Sequence, residues 1–287
     1  MSARLNYLTT SAKKFLSKSR QNCPSCGNGS STIVQRKFLI TALRRCSKCQ
    51  LQFRTPTSTP EENASFYQSE HSQRFTSDLP SDAALKELLD ARFQGRKKDA
   101  ERYLKLLEAL GGKPGMKLLD FGCSWGYTSW QFRERGGYDV TSFEISKPRC
   151  QFAREKLGVN AYDSLEDVPG EDFDIFFSAH VIDLVPSVEA TLEYAHRKLK
   201  HGGLFVAVTP NGSHDRRRKE GSAAWGRSWG MVHPNLLDDV YYMHRLPDAL
   251  LATTPYDFPA IASAWRAGRP SVGKKLDGMG LMVAVRF

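Results

Sequence analysis

The sequence has no apolar run approaching the ~20 residues needed to cross a bilayer, and its N-terminus lacks the apolar core of a secretory signal. A cytoplasmic protein is expected. Acidic residues are missing from positions 1–54, which hold 11 Lys or Arg, whereas the remainder has 30 basic and 31 acidic residues. The formal charge of +10 over 287 residues is therefore N-terminal in origin. A basic arm suits RNA, an acidic partner or an anionic surface, and a solvated face is the ordinary alternative. No internal repeat is visible. Two further absences concern "KLLDFGCSWGYTSW", residues 117–130, an apolar strand running into a tight turn and a helix. Counting from Gly122, the later positions of a G-x-G-x-x-G fingerprint are Ser124 and Tyr127, which excludes the dinucleotide pattern. No Lys lies between Lys117 and Lys147, which excludes a Walker loop.

Cysteines are few but paired. Cys23-Pro-Ser-Cys26 and Cys46-Ser-Lys-Cys49 are separated by 19 residues, and the intervening "STIVQRKFLITALRR" is β-prone. A hairpin there would bring four thiolates to the corners of a tetrahedron, the arrangement Zn²⁺ prefers. Four Cys ligands imply a structural ion with no open coordination position; a redox pair or a ribbon without metal are the alternatives. Cys123 and Cys150 stand alone and read as small buried residues.

Four regions follow: a basic arm (1–22), a zinc ribbon (23–54), a Ser-, Thr- and Pro-rich connector (55–82) and a large domain (83–287). In the arm, Leu5, Leu8, Ala12, Phe15 and Leu16 fall on one helical face. That is also the pattern of an organelle transit peptide, although a frayed basic arm is the simpler reading. In the large domain, Ala83 to Leu110 reads as helix with a weak point at Gly95. Strands are expected at 116–121, 138–144, 159–162, 173–178 and 203–209, with helices from 126 and 148 and over 187–199. This alternation predicts an α/β fold, a parallel sheet with helices on both faces. "YDFPAIASAW" and "GLMVAVRF" read as an antiparallel β pair closing the sheet.

Asp120, just before the turn, would repel a phosphate and welcome an ammonium. Glu144 ends the next strand, where a carboxylate takes both hydroxyls of a ribose. A ligand with a cationic end, a ribose and no phosphate is S-adenosylmethionine. At this point "LLDFGCSWG", "VTSFEIS", "FDIFFSAHVIDLVPS" and "LKHGGLFVAVTPNG" resemble, in order and spacing, the motifs of class I S-adenosylmethionine-dependent methyltransferases over residues 116–211. "RCSKCQLQFRTPTSTPEENASFYQ" resembles the zinc-ribbon segment of a bacterial subgroup whose members often act on sugars, polyketides or other small metabolites.

The resemblance implies a Rossmann-like sheet preceded by a small zinc-ribbon module, with Cys23, Cys26, Cys46 and Cys49 as the metal ligands. It places Asp120, Gly122 and Gly126 at the methionine end, with Cys123 and Ser124 in the same turn. Glu144, followed by Ile145, would bind the ribose; Asp163, Ser164 and Leu165 would flank the adenine; Ala179 and His180 would border the methyl group. The family usually has Gly where Ser124 stands. Its Glu-His pair after the fourth strand is here Asp183-Leu184, and a later Glu-His-Leu is Asp238-Asp239-Val240, so both usual histidines are missing. His180 and His233 are the candidate bases, each with an ordinary satisfied imidazole as alternative; Asp183, Tyr67 and His71 are near the expected mouth. Trp225 and Trp229 are either a stacking platform or core. The run Arg216-Arg217-Arg218-Lys219 either grips the diphosphate of a nucleotide-linked acceptor or is a solvated loop. The leading expectation is methyl transfer to a small molecule. An RNA methyltransferase docking through the basic ribbon and a noncatalytic partner protein are the alternatives.

Overall fold

The computed structural model describes residues 14–37, 40–68 and 78–287. In chain order the strands are β1 (Ser31–Lys37), β2 (Thr41–Cys46), β3 (Gln52–Thr55), β4 (Lys117–Phe121), β5 (Asp139–Phe143), β6 (Asn160–Tyr162), β7 (Phe173–Ala179), β8 (Leu199–Pro210), β9 (Asn235–Leu236), β10 (Leu250–Thr253) and β11 (Gly280–Arg286). The helices are α1 (Pro60–Gln68), α2 (Asp82–Asp90), α3 (Glu101–Ala109), α4 (Tyr127–Glu134), α5 (Lys147–Leu157), α6 (Val188–Lys198), α7 (His214–Glu220), α8 (Ser222–Trp225), α9 (Asp239–Arg245) and α10 (Phe258–Arg266). The arm's residues 1–13, and with them Leu5, Leu8 and Ala12, lie outside the described residues, as does His71.

Seven strands form one sheet in the order β10-β11-β8-β7-β4-β5-β6. β6, β5, β4, β7 and β8 are parallel, and β11 is antiparallel to both β8 and β10. The chain steps outward from β4 through β5 to β6, then returns to the other side of β4 with β7. The carboxyl ends of β4 and β7 therefore meet at a topological switch point, where open α/β sheets leave a crevice. Both faces of the sheet are covered: Leu119, Phe121, Phe176 and Phe205 pack on one side, Leu118, Ile175, Phe177 and Val206 on the other. This two-sided burial explains the near-continuous apolar runs in the parallel strands.

Two expectations are corrected. Residues 258–266, within "YDFPAIASAW", are helix and not strand. Asp257 caps it by accepting from the Ala260 N–H at 3.0 Å, and Pro259 sits in the first turn, where a missing N–H costs nothing. The partner of β11 is instead β10, with Leu250 opposite Ala284. The expected long helix from 83 to 110 is two helices, α2 and α3, joined by turns in which Arg92 and Phe93 take positive φ.

The N-terminal cysteine module does not pack as a separate body. Its strands continue onto the larger domain: β3 pairs with β9 through Phe53 and Asn235, giving a sheet of order β1-β2-β3-β9. Cys23, Cys46, Leu51 and Phe53 share one apolar cluster with Leu237, Tyr241 and the main sheet. Trp225 and Trp229, both 1% exposed, wedge against Leu43 of β2 and Leu236 of β9. These indoles are core, and burying each contributes on the order of 1.5–3 kcal/mol.

Candidate functional site

The turn after β4 is held open by its backbone. Gly122 has φ +88°, and a Cβ there would meet Val181 at 2.2 Å; Gly126 has φ +85°, and its Cβ would meet that of Ala153 at 2.8 Å. Ser124, between them, is also left-handed at φ +55°, so the conformation usually assigned to Gly is kept at some strain. Its N–H donates to Glu144 Oε2 at 2.9 Å, which ties the turn to the end of β5. Glu144 Oε1 accepts from the Ser146 N–H at 2.8 Å. Burial raises the Glu144 pKa, the two backbone donors and Arg149 opposing it. Two lone-pair positions of this anchored carboxylate remain for a diol.

Asp120 lies beneath the turn, 3% exposed, accepting from Ser129 Oγ at 2.6 Å, while Ser129 accepts from Ser142. Burial pushes its pKa up to about 7, with Glu144 adding to the effect. This carboxyl supports the turn from below. Cys123 is buried against α5 together with Cys150; only its backbone remains available to a ligand. Asp163, Ser164 and Leu165 follow β6, and Leu165 packs against the main core. Ile145 is joined to α1 by the Gln68 side chain, which donates to its carbonyl at 2.6 Å. Tyr67 of α1 is buried, and its pKa is raised by burial and by the charges of Asp183 and Glu144, so α1 roofs the crevice between the two acids. An adenosyl cofactor fits these groups: a left-handed turn and an anchored carboxylate beside it.

Beyond the end of β7 a cavity of about 320 Å³ opens, lined by His180, His233, Arg102, Arg216, Arg227 and Tyr256 among others. His180 itself has φ +58°, held by its N–H donating to the Val208 carbonyl at 2.7 Å. Crowding by the protein lowers its pKa although the ring keeps contact with solvent; Arg102 and His233 act in the same direction and Asp183 opposes them. His180 is thus neutral near pH 7. His233 Nδ1 lies 2.6 Å from Oδ2 of Asp183, a carboxylate with no solvent exposure. The carboxylate assigns the proton to Nδ1, which leaves Nε2 with its lone pair. Asp183 takes the place of the family's usual glutamate, and the imidazole it pairs with arrives from a segment 50 residues downstream.

That segment is bracketed by the cysteine module. Gln35 of β1 donates to the Ser222 carbonyl at 2.9 Å and accepts from Trp229 Nε1 at 2.7 Å. Lys37 bonds the Trp229 carbonyl and lies 4.2 Å from its ring centre. The Arg54 N–H donates to the Pro234 carbonyl at 2.7 Å, one residue beyond His233. The four Sγ atoms of Cys23, Cys26, Cys46 and Cys49 all lie within 4.8 Å of one another. Cys23–Cys49 and Cys26–Cys46 are each 3.5 Å apart, close to the roughly 3.8 Å edge of a tetrahedron with 2.3 Å metal–sulfur bonds. Sharing a hydrogen with Cys23 pulls Cys49 down to about 5 and pushes Cys23 up. Four thiols gathered at these distances are a donor set that fits zinc.

The turn, Glu144, His180, His233 and the four cysteines were all apparent from sequence. Arg102 and Tyr256 were not: neither stands in a motif, and only the packing of α3 and the 254–256 segment against the sheet edge brings them to His180. Arg216 is not in a loop but in α7, where Nε bonds Glu220 at 3.0 Å and Nη1 the Asn211 carbonyl at 2.9 Å.

A family model described as a methyltransferase domain matches residues 95–245. The chain belongs to this family, and its sheet is that of the class I S-adenosylmethionine-dependent methyltransferases. A malonyl-[acyl-carrier protein] O-methyltransferase of Serratia marcescens is 33% identical over 109 residues, 37% of this chain and 42% of the relative. A ubiquinone biosynthesis O-methyltransferase of Paramagnetospirillum magneticum is 34% identical over 106 residues, 34% of this chain and 41% of the relative. The chain thus spans less than half the length of these two curated relatives. Among solved structures, the plantazolicin methyltransferase BpumL in complex with SAH shares the fold with a TM-score of 0.50 at 14% identity, over 78% of this chain and 93% of that one. No helix among the described residues is long and apolar enough to cross a membrane.

Proposed function

We propose that this chain is an S-adenosylmethionine-dependent methyltransferase acting on a small molecule whose acceptor atom loses a proton, with His233 as the base. The observation that carries this reading is the 2.6 Å contact between His233 Nδ1 and the buried Asp183. Amines with a free lone pair need only alignment, whereas a hydroxyl or carbon acid needs a proton acceptor. The relatives named O-methyltransferases favour a hydroxyl or carboxyl oxygen.

When bound, S-adenosylmethionine supplies an electrophilic methyl group on a positively charged sulfur. Glu144 would hold its ribose, Gly122, Ser124 and Gly126 its amino-acid end, and Asp163, Ser164 and Leu165 its adenine. Asp183 keeps the His233 ring in one tautomer, so that Nε2 takes the acceptor's proton. His180, at the end of β7, borders the transfer position. Tyr67 and α1 exclude water from the cofactor side. Cys23, Cys26, Cys46 and Cys49 would hold one structural zinc, as in the zinc-ribbon subgroup. Sugars and polyketide-like metabolites are the acceptor classes that the resemblance to this subgroup suggests, and the Arg216–Lys219 run adds nucleotide-linked compounds.

The RNA alternative draws on the basic N-terminal region. Much of that charge is spent within the molecule: Lys14 and Arg20 both meet Glu62, Arg45 meets the buried Asp238, and Arg54 is 4% exposed. The test is transfer from methyl-labelled S-adenosylmethionine to a cell extract separated into small-molecule and RNA pools. Label in the small-molecule pool, abolished by His233→Gln, is the expected result. Label confined to RNA overturns the reading.

A further inference from the structure

The cavity beside His233 is lined by cations that come from three separate parts of the chain: Arg102 from α3, Arg216 from α7 and Arg227 just after α8. No carboxylate is among the residues lining it. Several other arginines close on acids, Arg45 on Asp238, Arg135 on Asp99 and Glu101, Arg245 on Glu189, and within the cavity Arg216 closes on Glu220. Among the described residues Arg102 and Arg227 meet no acid. Like charges lining one concavity give it a positive potential that favours an anion there.

Of the three, Arg216 is built in, whereas Arg102 and Arg227 are exposed to solvent. Arg216 is 4% exposed, and with Nε given to Glu220 and Nη1 to the Asn211 carbonyl, Nη2 is the donor left for the cavity. The Ser213 side chain caps the same helix by accepting from the Arg216 N–H at 3.2 Å. Arg102 lies 4.5 Å from the centre of the Tyr103 ring, with Nη2 donating to the Tyr103 hydroxyl at 2.7 Å. Arg227 follows Trp225, whose indole is locked between β2 and β9. The Tyr256 hydroxyl in the same wall has no partner among the described residues. Planar guanidinium groups held in place before binding recognise oxyanions with little loss of side-chain freedom.

We propose that the acceptor carries a phosphate- or carboxylate-type group, and that Arg102, Arg216 and Arg227 clamp it so that its nucleophilic atom faces His233. This rests on the methyltransferase reading above and narrows its acceptor to anions. A neutral acceptor would leave Arg102 and Arg227 without a counter-charge.

The test uses the full-length protein with its metal, saturated with S-adenosylhomocysteine. Calorimetry follows binding of three probes: inorganic phosphate, pyrophosphate and malonate. Binding of at least one in the micromolar to low millimolar range is expected. In Arg102→Gln/Arg227→Gln that affinity should fall roughly 100-fold, about tenfold for each guanidinium removed, while S-adenosylhomocysteine still binds as in the wild type. Preference for the phosphates points to a phosphorylated acceptor, preference for malonate to a carboxylate; either supports the clamp. Absence of binding by all three probes, or equal affinity in wild type and double variant, overturns it. A wild-type protein that fails to bind S-adenosylhomocysteine overturns the cofactor reading instead, and the anion titrations are then read without it.

Discussion

The two sides of the crevice are built in opposite ways. On the cofactor side, one contiguous stretch does most of the work: β4, the left-handed turn at 122–126 and α4 follow one another, and Glu144 is tied to Ser124 across 20 residues. On the acceptor side the parts are scattered. His180 ends β7, Arg102 comes from before the sheet begins, His233 arrives from the segment between α8 and β9, and that segment is fixed by β1 and β3 of the cysteine module. A locally encoded site survives changes in distant parts of the chain. A site assembled across almost 200 positions depends on whatever holds its most remote piece.

The largest effect that tests this contrast is loss of the metal site. In small zinc modules the metal binding energy is folding energy, on the order of 10–16 kcal/mol, so Cys46→Ser should release zinc and loosen β1 to β3. With them go the hydrogen bonds to Ser222, Trp229 and Pro234 that place His233. Turnover should fall by at least about 100-fold, in line with loss of a positioned base, while the affinity for S-adenosylhomocysteine changes by less than about threefold. Zinc content by native mass spectrometry and cofactor binding by calorimetry separate the two. Equal loss on both sides would mean that the crevice is one cooperative unit and that the contrast is false.

Next in size is the dyad itself. Asp183→Asn leaves the shape but removes the acceptor that sets the His233 tautomer, and kcat should drop by about 10²–10⁴ with cofactor affinity unchanged. A drop in cofactor affinity in place of kcat would move Asp183 to the other side of the crevice. On the cofactor side, Glu144→Ala should weaken S-adenosylmethionine binding by about 1.5–3 kcal/mol, because the charge-assisted bonds to the ribose are removed. Here KM for the cofactor should change and the pH profile should not.

The same contrast explains what could be read in advance. The parallel sheet was legible because strands buried on both faces are apolar throughout, and the turn because Gly122 and Gly126 sit where a side chain would collide with Val181 or Ala153. The four cysteines were legible from spacing alone. Ser124 keeps the backbone angle of the glycine it replaces, so its departure from the family pattern changed little. The strand reading of 258–266 weighed the apolar and aromatic residues and passed over three alanines, the best helix formers, behind the capping Asp257 and first-turn Pro259. Arg102 and the Asp183–His233 pair could not be foreseen, since nothing local to either links positions 50 or more residues apart. The module's role as a brace was equally hidden: its pairing with β9 rests on two residues, Asn235 and Leu236.

The smallest effect concerns the start of the described chain, where Glu62 gathers Lys14 at 2.7 Å and Arg20 at 3.0 Å. Glu62 also completes a capping box at the head of α1: its carboxylate accepts from the Thr59 N–H at 2.9 Å, and its own N–H donates to Thr59 Oγ1 at 3.2 Å. Burial tends to raise its pKa, but the bonds from Lys14 and Thr59 and the charges of Lys14 and Arg20 outweigh this and the net shift is downward. A depressed carboxylate adds stability that is present above its unfolded pKa and is lost as pH falls through the folded one. Glu62→Gln keeps a side chain suited to the capping box and removes only the charge. Because the group is about one-third exposed, solvent screening holds the cost to roughly 0–1 kcal/mol near pH 7, and the difference between variant and parent should shrink as pH falls through the depressed folded-state pKa. Denaturant midpoints at pH 7 and pH 3.5 measure this. If the arm is a fastener of α1 and not part of the chemistry, kcat and cofactor affinity stay at parent values; a fall in kcat larger than tenfold would bring α1 and the roofing Tyr67 into the acceptor side and redraw the boundary between the two halves of the crevice.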